Sequence, residues 1–311
     1  APLSQNLADG IGTDGYVPDA GSAFNWRRQY WYGDRNRLIS RTWWTMFTVI
    51  GERINTTLKK VQAAAADRDA DYIRDEVNRQ AEAGATYIDV NAGARIGHEE
   101  EDMRWLLEVV QGATDLPLCL DSPDPVILEM AYGLVNKKPL VNSISLEKDR
   151  FEPMIDYLKG KDCRIVALCM DDSGMPKTAG DIISRAHTLV SELENIGFGR
   201  DDIFIDPLIQ PISVDTGNGR MVMSAVQAIM TEIEGVHTTG GLSNISYGLP
   251  QRRVINRSFL AMMVAHGFDS AIMDPLDREA MQVVLTSDML AGNDDYCMRF
   301  ITASRSGDIG A

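Results

Sequence analysis

Eight side chains in this sequence share one context. Glu52, Asn55, Asp89, Asn91, Asp121, Asn142, Asp206 and Asn244 each lie in, close or directly follow a short apolar run. Leu116-Pro-Leu-Cys-Leu-Asp121 is the plainest case, a run too brief for a helix that stops at a carboxylate. The set holds carboxylates and carboxamides without a His, a Cys or a Lys. A metal cluster and a Schiff-base lysine are therefore poorly supported at these positions. A carboxylate accepts two hydrogen bonds from an amino-pyrimidine edge, and a carboxamide donates and accepts at once. Together they suit a neutral heterocycle such as a pterin or a purine. Any single member could equally cap the helix that follows it, a reading open to Asp121, Ser122 and Ser143 alike. Gly235 and Gly240-Gly241 form no phosphate loop or dinucleotide fingerprint.

The elements that must carry these residues can be counted. Apolar runs without alternation are what strands buried on both faces look like, and they point to a parallel sheet. Strands are predicted over Thr48 to Glu52, Tyr87 to Asn91, Leu116 to Asp121, Pro139 to Asn142, Arg164 to Cys169, Ile203 to Asp206, His237 to Leu242 and Ser270 to Met273. Segments of helical period separate them, and a closing helix is predicted from Arg278 to Leu290 with no element left over. Strict strand-helix alternation with polar residues at strand C-terminal ends reads as a (β/α)8 TIM barrel, its site at that face. Residues 1–45 do not fit the pattern: they are polar and glycine-rich, then aromatic and basic around Trp26 to Tyr32 and Trp43-Trp44. They read as an upstream or appended extension, in preference to a lid or partner-binding arm.

Composition sets bounds on partners. The 311 residues carry a formal charge of −15, which argues against nucleic acid and anionic membrane surfaces. No apolar run approaches the ~20 residues of a membrane span, and no charged-then-apolar leader opens the sequence. Of the four cysteines, Cys119 and Cys169 fall inside predicted strands and read as buried thiols of a cytoplasmic protein. Cys163 and Cys297 remain unassigned. The methionines, among them Met262, Met263 and Met273, read as core filler, and the lone His98 as a surface or capping residue.

Seven segments in order carry a resemblance: Gly51-Glu-Arg-Ile-Asn55, Ile88-Asp-Val-Asn91, Leu118-Cys-Leu-Asp-Ser122, Val141-Asn-Ser143, Ile205-Asp-Pro-Leu208, Gly241-Leu-Ser-Asn-Ile-Ser246 and Ile255-Asn-Arg-Ser-Phe-Leu260. The stretch from Met46 to Met298 resembles the pterin-binding methyltransferases. These include the methyltetrahydrofolate:corrinoid/iron-sulfur-protein methyltransferase and the folate domain of cobalamin-dependent methionine synthase. The resemblance implies a TIM barrel, a homodimer, and methyl transfer between N5 of tetrahydrofolate and the cobalt of a corrinoid protein. The substrate would be tetrahydrofolate or 5-methyltetrahydrofolate, with the cobalamin carried by the partner, because no Asp-x-His-x-x-Gly motif occurs here. Carried over by motif, Asp121, Asn142 and Asp206 would hold the pterin, and Asn244 would hydrogen-bond near N5. Glu52, Asn55, Asp89 and Asn91 would line the floor.

Two departures stand out. Met170-Asp171-Asp172 replaces the amide expected after that Met, leaving both acids without a role, and Tyr247 to Arg253 differs in detail. Two rivals share the reading. Dihydropteroate synthase, another pterin barrel, would need a phosphate loop where Asn55-Thr-Thr-Leu stands and a basic motif where Asn244-Ile-Ser-Tyr stands. A non-catalytic folate-binding subunit would differ only in turnover.

Overall fold

The computed structural model describes residues 47–309. The extension read over residues 1–45 lies outside them. Eight parallel strands run in the order β7-β6-β5-β4-β3-β2-β1-β8. They are β1 (Thr48–Asn55), β2 (Tyr87–Asn91), β3 (Leu118–Asp121), β4 (Leu140–Leu146), β5 (Arg164–Asp171), β6 (Ile203–Asp206), β7 (His237–Thr238) and β8 (Ser270–Met273). The two ends of the sheet meet where Gly241 bridges Ile272, whose N–H donates to the Gly240 carbonyl at 3.0 Å. That contact closes the ring. The fold is the expected (β/α)8 barrel.

Helices follow the strands: α1 (Lys59–Asp67) and α2 (Ala70–Glu82) after β1, α3 (Glu99–Ala113), α4 (Pro125–Tyr132), α5 (Lys148–Leu158), α6 (Ala179–Asn195), α7 (Asn218–Glu232), α8 (Arg252–Ala265), α9 (Arg278–Leu290) and a terminal α10 (Met298–Ser306). Several begin at capping side chains: Asp69, Asp124, Thr178 and Asp277 each accept from a backbone N–H in the first turn. Period two along each strand separates two apolar layers. Ile50, Tyr87, Cys119, Leu140, Val166 and Phe204 fill the barrel interior with Ile272. Ile88, Val90, Leu118, Leu120, Val141 and Ile165 face outward to the helices. The interior cluster plugs the barrel below the strand C-terminal ends.

Four strand C-terminal boundaries differ from the sequence reading. β1 continues to Asn55 through a register shift between Gly51 and Ile54. β4 and β5 run on past Asn142 and Cys169, to Leu146 and Asp171. β7 ends at Thr238 and not Leu242; after Gly240-Gly241 the chain coils into a 3-10 turn, Leu242–Ser246, as glycine weakens strands. α10 is an element the sequence reading left out. Its start lacks the usual cap spacing, because Asp294 accepts from Arg299 and Phe300 N–H groups five and six residues on. Met263 and Met273 are core residues, as expected, but Met262 is 49% exposed. Cys119, Cys163 and Cys169 are buried free thiols, and Cys297 is exposed.

Gly51 is a close-approach position. A Cβ there would stand 2.5 Å from the Gln80 side-chain oxygen and 3.4 Å from the Ala85 methyl. Gln80 is buried, and that oxygen accepts from the Arg53 N–H at 3.1 Å. Gly51→Ala is expected to destabilise the barrel by about 1–3 kcal/mol through overpacking, read as a lowered urea midpoint at unchanged slope.

Candidate active site

The strand ends assemble a polar row. Asn55, Asn91, Asp121 and Asn142 are successive register partners on β1 to β4. On the far side of the ring Asp206 is the register partner of Leu168. Period two then places Asp89, Asn91, Asp121, Asn142 and Asp206 on the same inner side as the apolar plug, directly above it. Glu52 stands two residues beyond Ile50, on the same side.

Asn91 organises one wall. Its oxygen accepts from the Gly93 N–H at 3.0 Å, which leaves its amide nitrogen to donate to Asp121 Oδ2 at 2.9 Å. Asp121 Oδ1 points at no donor among the described residues. Asp89, one layer deeper, is 2% exposed, and its Oδ1 is buried without a partner. Burial, then the neighbouring Asp121, hold the Asp89 carboxyl well above the usual range. Burial also raises Asp121, but the Asn91 amide opposes it by stabilising the ionised form. Both carboxyls are thus held above their ordinary range, Asp89 the further of the two.

The opposite wall is shaped by glycines. Asp206 keeps some access to solvent, yet burial among protein atoms pushes its carboxyl up to about 7, partly offset by the Leu208 N–H that it accepts at 2.8 Å. A Cβ on Gly240 would lie 3.2 Å from Asp206 Oδ1, and one on Gly241 would lie 3.1 Å from Asn244 Nδ2. The Gly240-Gly241 pair leaves room for the two site residues. Asn244 sits in the 3-10 turn, exposed, and its side chain makes no hydrogen bond among the described residues. The side chain of Asn142 is likewise uncommitted. Asn55 differs: its oxygen accepts from the Thr57 N–H and hydroxyl at 2.9 and 2.7 Å, a local turn that ends β1.

A half-ring of acids and amides above a barrel plug can grip a planar heterocycle edge-on. The family described as pterin binding enzyme matches residues 51–274, nearly the whole barrel. The chain belongs to the pterin-binding enzyme family. It is 36% identical to the methylcorrinoid:tetrahydrofolate methyltransferase of Eubacterium limosum over 84% of this chain and 97% of that one. It is 28% identical to methionine synthase of Mycobacterium tuberculosis over 72% of this chain, which spans 20% of that longer protein. Dihydropteroate synthase from Xanthomonas albilineans, in complex with 7,8-dihydropteroate, superposes with a TM-score of 0.58 at 19% identity, covering 78% of this chain and 92% of that one. That last likeness is one of fold.

Within this pterin-binding barrel the two unassigned acids brace a loop. Asp171 Oδ1 accepts from the Ser173 N–H and hydroxyl at 2.9 and 2.6 Å, and Oδ2 pairs with Arg185 at 2.8 Å. The Ser173 hydroxyl, together with Arg185, holds the Asp171 carboxyl below its usual range. Asp172 accepts from the Lys148 N–H at the start of α5. His98 is exposed, 3.5 Å from Glu101. Three polar groups carry no role in the sequence reading. Thr239 Oγ1 and Asn256 Oδ1 are buried without partners, and Asp274 binds Arg53 at 3.0 Å beside Glu52. Thr239 lies inside a predicted strand, where nothing in its spacing marks it, and Asn256 stands in the segment Ile255-Asn-Arg-Ser-Phe-Leu260, which carries the resemblance without assigning this residue a role.

Proposed function

We propose that this chain is a methyltransferase that moves a methyl group between N5 of tetrahydrofolate and the cobalt of a corrinoid held by a separate protein. The observation that carries the reading is the register row Asn91-Asp121-Asn142 facing Asp206 across one barrel mouth. The kinship with the Eubacterium limosum enzyme supports it. Asp121 accepts from the amino-pyrimidine edge with the oxygen that Asn91 leaves uncommitted. Asn142 and Asp206 complete the grip, and Asp89 with its unpartnered oxygen lies beneath. Burial of a ring edge against these groups costs little, because they already stand desolvated in place. The corrinoid supplies the cobalt that gives or takes the methyl group. The chain needs no covalent nucleophile; it positions N5 and answers its change of charge. Asn244, able to donate or accept, follows N5 through that change.

The mouth is rimmed for a large partner. Ile96, Val126, Met175, Val214 and Tyr247, on the segments that follow β2, β3, β5, β6 and β7, are between 54% and 97% exposed. Isolated exposed apolar residues are ordinary, but these five surround one opening through which a protein-borne methyl donor must reach N5. They suit the apolar centre of a transient interface. The test mixes methylated corrinoid protein with tetrahydrofolate and this protein and follows formation of 5-methyltetrahydrofolate. Turnover is expected. The double variant Val214→Asp and Tyr247→Asp should raise the KM for the corrinoid protein about tenfold or more, leaving tetrahydrofolate affinity and reaction with free methylcobalamin near wild type. An unchanged KM would remove the rim from the account.

A further inference from the structure

A cavity of about 250 Å³ opens between β1, β8 and α8, lined by Glu52, Ser243, Arg252, Asn256 and Asp274 among others. It has three properties the pterin grip does not use. First, Glu52 makes no hydrogen bond or ion pair among the described residues, whereas its neighbours Arg53, Asp274 and Arg252 are committed. Arg53 holds Glu76 at 2.6 Å and Asp274 at 3.0 Å, and Arg252 donates to the Ser243 carbonyl at 2.7 Å and the Ser246 hydroxyl at 3.1 Å. Second, Asn256 Oδ1 is a buried acceptor without a donor among the described residues, a group whose isolation is relieved by water or by a protonated carboxyl. Third, Ser243 on the cavity wall directly precedes Asn244 in the same 3-10 turn.

We propose that Glu52 is the group that exchanges the N5 proton with solvent, through water held in this cavity against Asn256. The inference rests on the methyl-transfer reading above. On methylation of tetrahydrofolate, the N5 lone pair forms the bond to the methyl carbon. The carbon–cobalt bond of the partner's corrinoid breaks, and its electron pair stays on the metal. N5 then carries the methyl group, a proton and a positive charge, and the Glu52 carboxylate accepts that proton. In the reverse direction protonated Glu52 returns it, and the amine leaves neutral. Of the other strand-end acids, Asp121 and Asp206 each have one oxygen accepting a hydrogen bond, from the Asn91 amide and the Leu208 N–H, and Asp89 lies a layer deeper; none of the three lines this cavity. The charges that face Glu52 are Asp274 after β8, Arg252 on α8, Arg53 beside it and Asp89 on β2, with Arg253 and Asp277 on the cavity wall. Burial and then Asp274 raise the carboxyl to about 7 against Arg252 and Arg53, where either protonation state is within reach at neutral pH.

Single-turnover transfer from methylated corrinoid protein to tetrahydrofolate, followed across pH about 5.5 to 8.5, tests the assignment. The wild-type rate should rise with pH along a limb centred near the Glu52 value of about 7, since the acceptor must be ionised. Glu52→Gln should lower the neutral-pH rate about 30-fold or more and abolish the limb, with tetrahydrofolate affinity within about threefold of wild type. Asn256→Ala should shift the limb and slow transfer by a smaller factor. If Glu52→Gln keeps both the limb and the rate, the proton leaves by another route and the proposal falls. If Glu52→Gln loses tetrahydrofolate binding in parallel with rate, Glu52 holds the ring, and the proposal falls as well. A wild-type protein that binds tetrahydrofolate without transferring methyl would overturn the methyl-transfer reading itself.

Discussion

Asp121→Ala is expected to weaken tetrahydrofolate binding by about 100-fold or more, the largest loss of any single substitution at the mouth. One oxygen of Asp121 is spent on Asn91, and the other accepts from no donor among the described residues. An ionised carboxylate accepting from a ring N–H and an amino group makes charge-assisted hydrogen bonds worth about 1.5–3 kcal/mol each. Losing the pair removes roughly 3 kcal/mol, or two decades of affinity. The substitution also leaves the Asn91 amide without its acceptor, so part of the loss would come from a loosened wall. Asp121→Asn separates the two effects: it keeps the volume and an acceptor but loses the charge, and should fall between wild type and alanine. Calorimetric titration gives the affinities, and an unchanged thermal midpoint excludes unfolding as the cause.

Asn244→Ala is expected to divide binding from transfer. Asn244 is exposed, and its side chain is unbonded among the described residues, in the turn above the ring of acids, so its removal leaves Asp121, Asn142 and Asp206 to grip the pterin. Tetrahydrofolate affinity should change by no more than about threefold. The transfer rate should fall about 100-fold or more, because a preorganised hydrogen-bond partner at the atom whose charge changes is worth about 2.7–4 kcal/mol at the transition state. Stopped-flow transfer beside equilibrium titration distinguishes this from a loss shared equally by rate and affinity, which would make Asn244 a binding residue.

The row of strand-end acids and amides was legible in the sequence for a physical reason. A parallel barrel buries its strands on both faces, so an acid or amide that closes an apolar run is placed at the strand C-terminal end, and the register brings successive ends together. Asn91, Asp121 and Asn142 obeyed that rule strand by strand. What stayed hidden depended on contacts between distant segments. Asn55 ends an apolar run like the others but is spent on Thr57. Gly240 and Gly241 looked like a failed phosphate loop, and only the approach of Asp206 and Asn244 shows why no side chain fits there. Asp171 and Asp172 carried no legible role until Arg185 and the Lys148 N–H were in place around them. The terminal helix escaped because Asp294 caps it from an unusual distance along the chain.

The central claim is a pterin site at the mouth of this barrel, and direct titration tests it most simply. Tetrahydrofolate and its N5-methyl form are titrated into the wild-type protein in a calorimeter. Saturable binding of at least one is expected, with a roughly micromolar Kd, about −8 kcal/mol. Absence of binding by both at millimolar concentration would contradict it, and the ring of Asp121, Asn142 and Asp206 would then belong to another ligand.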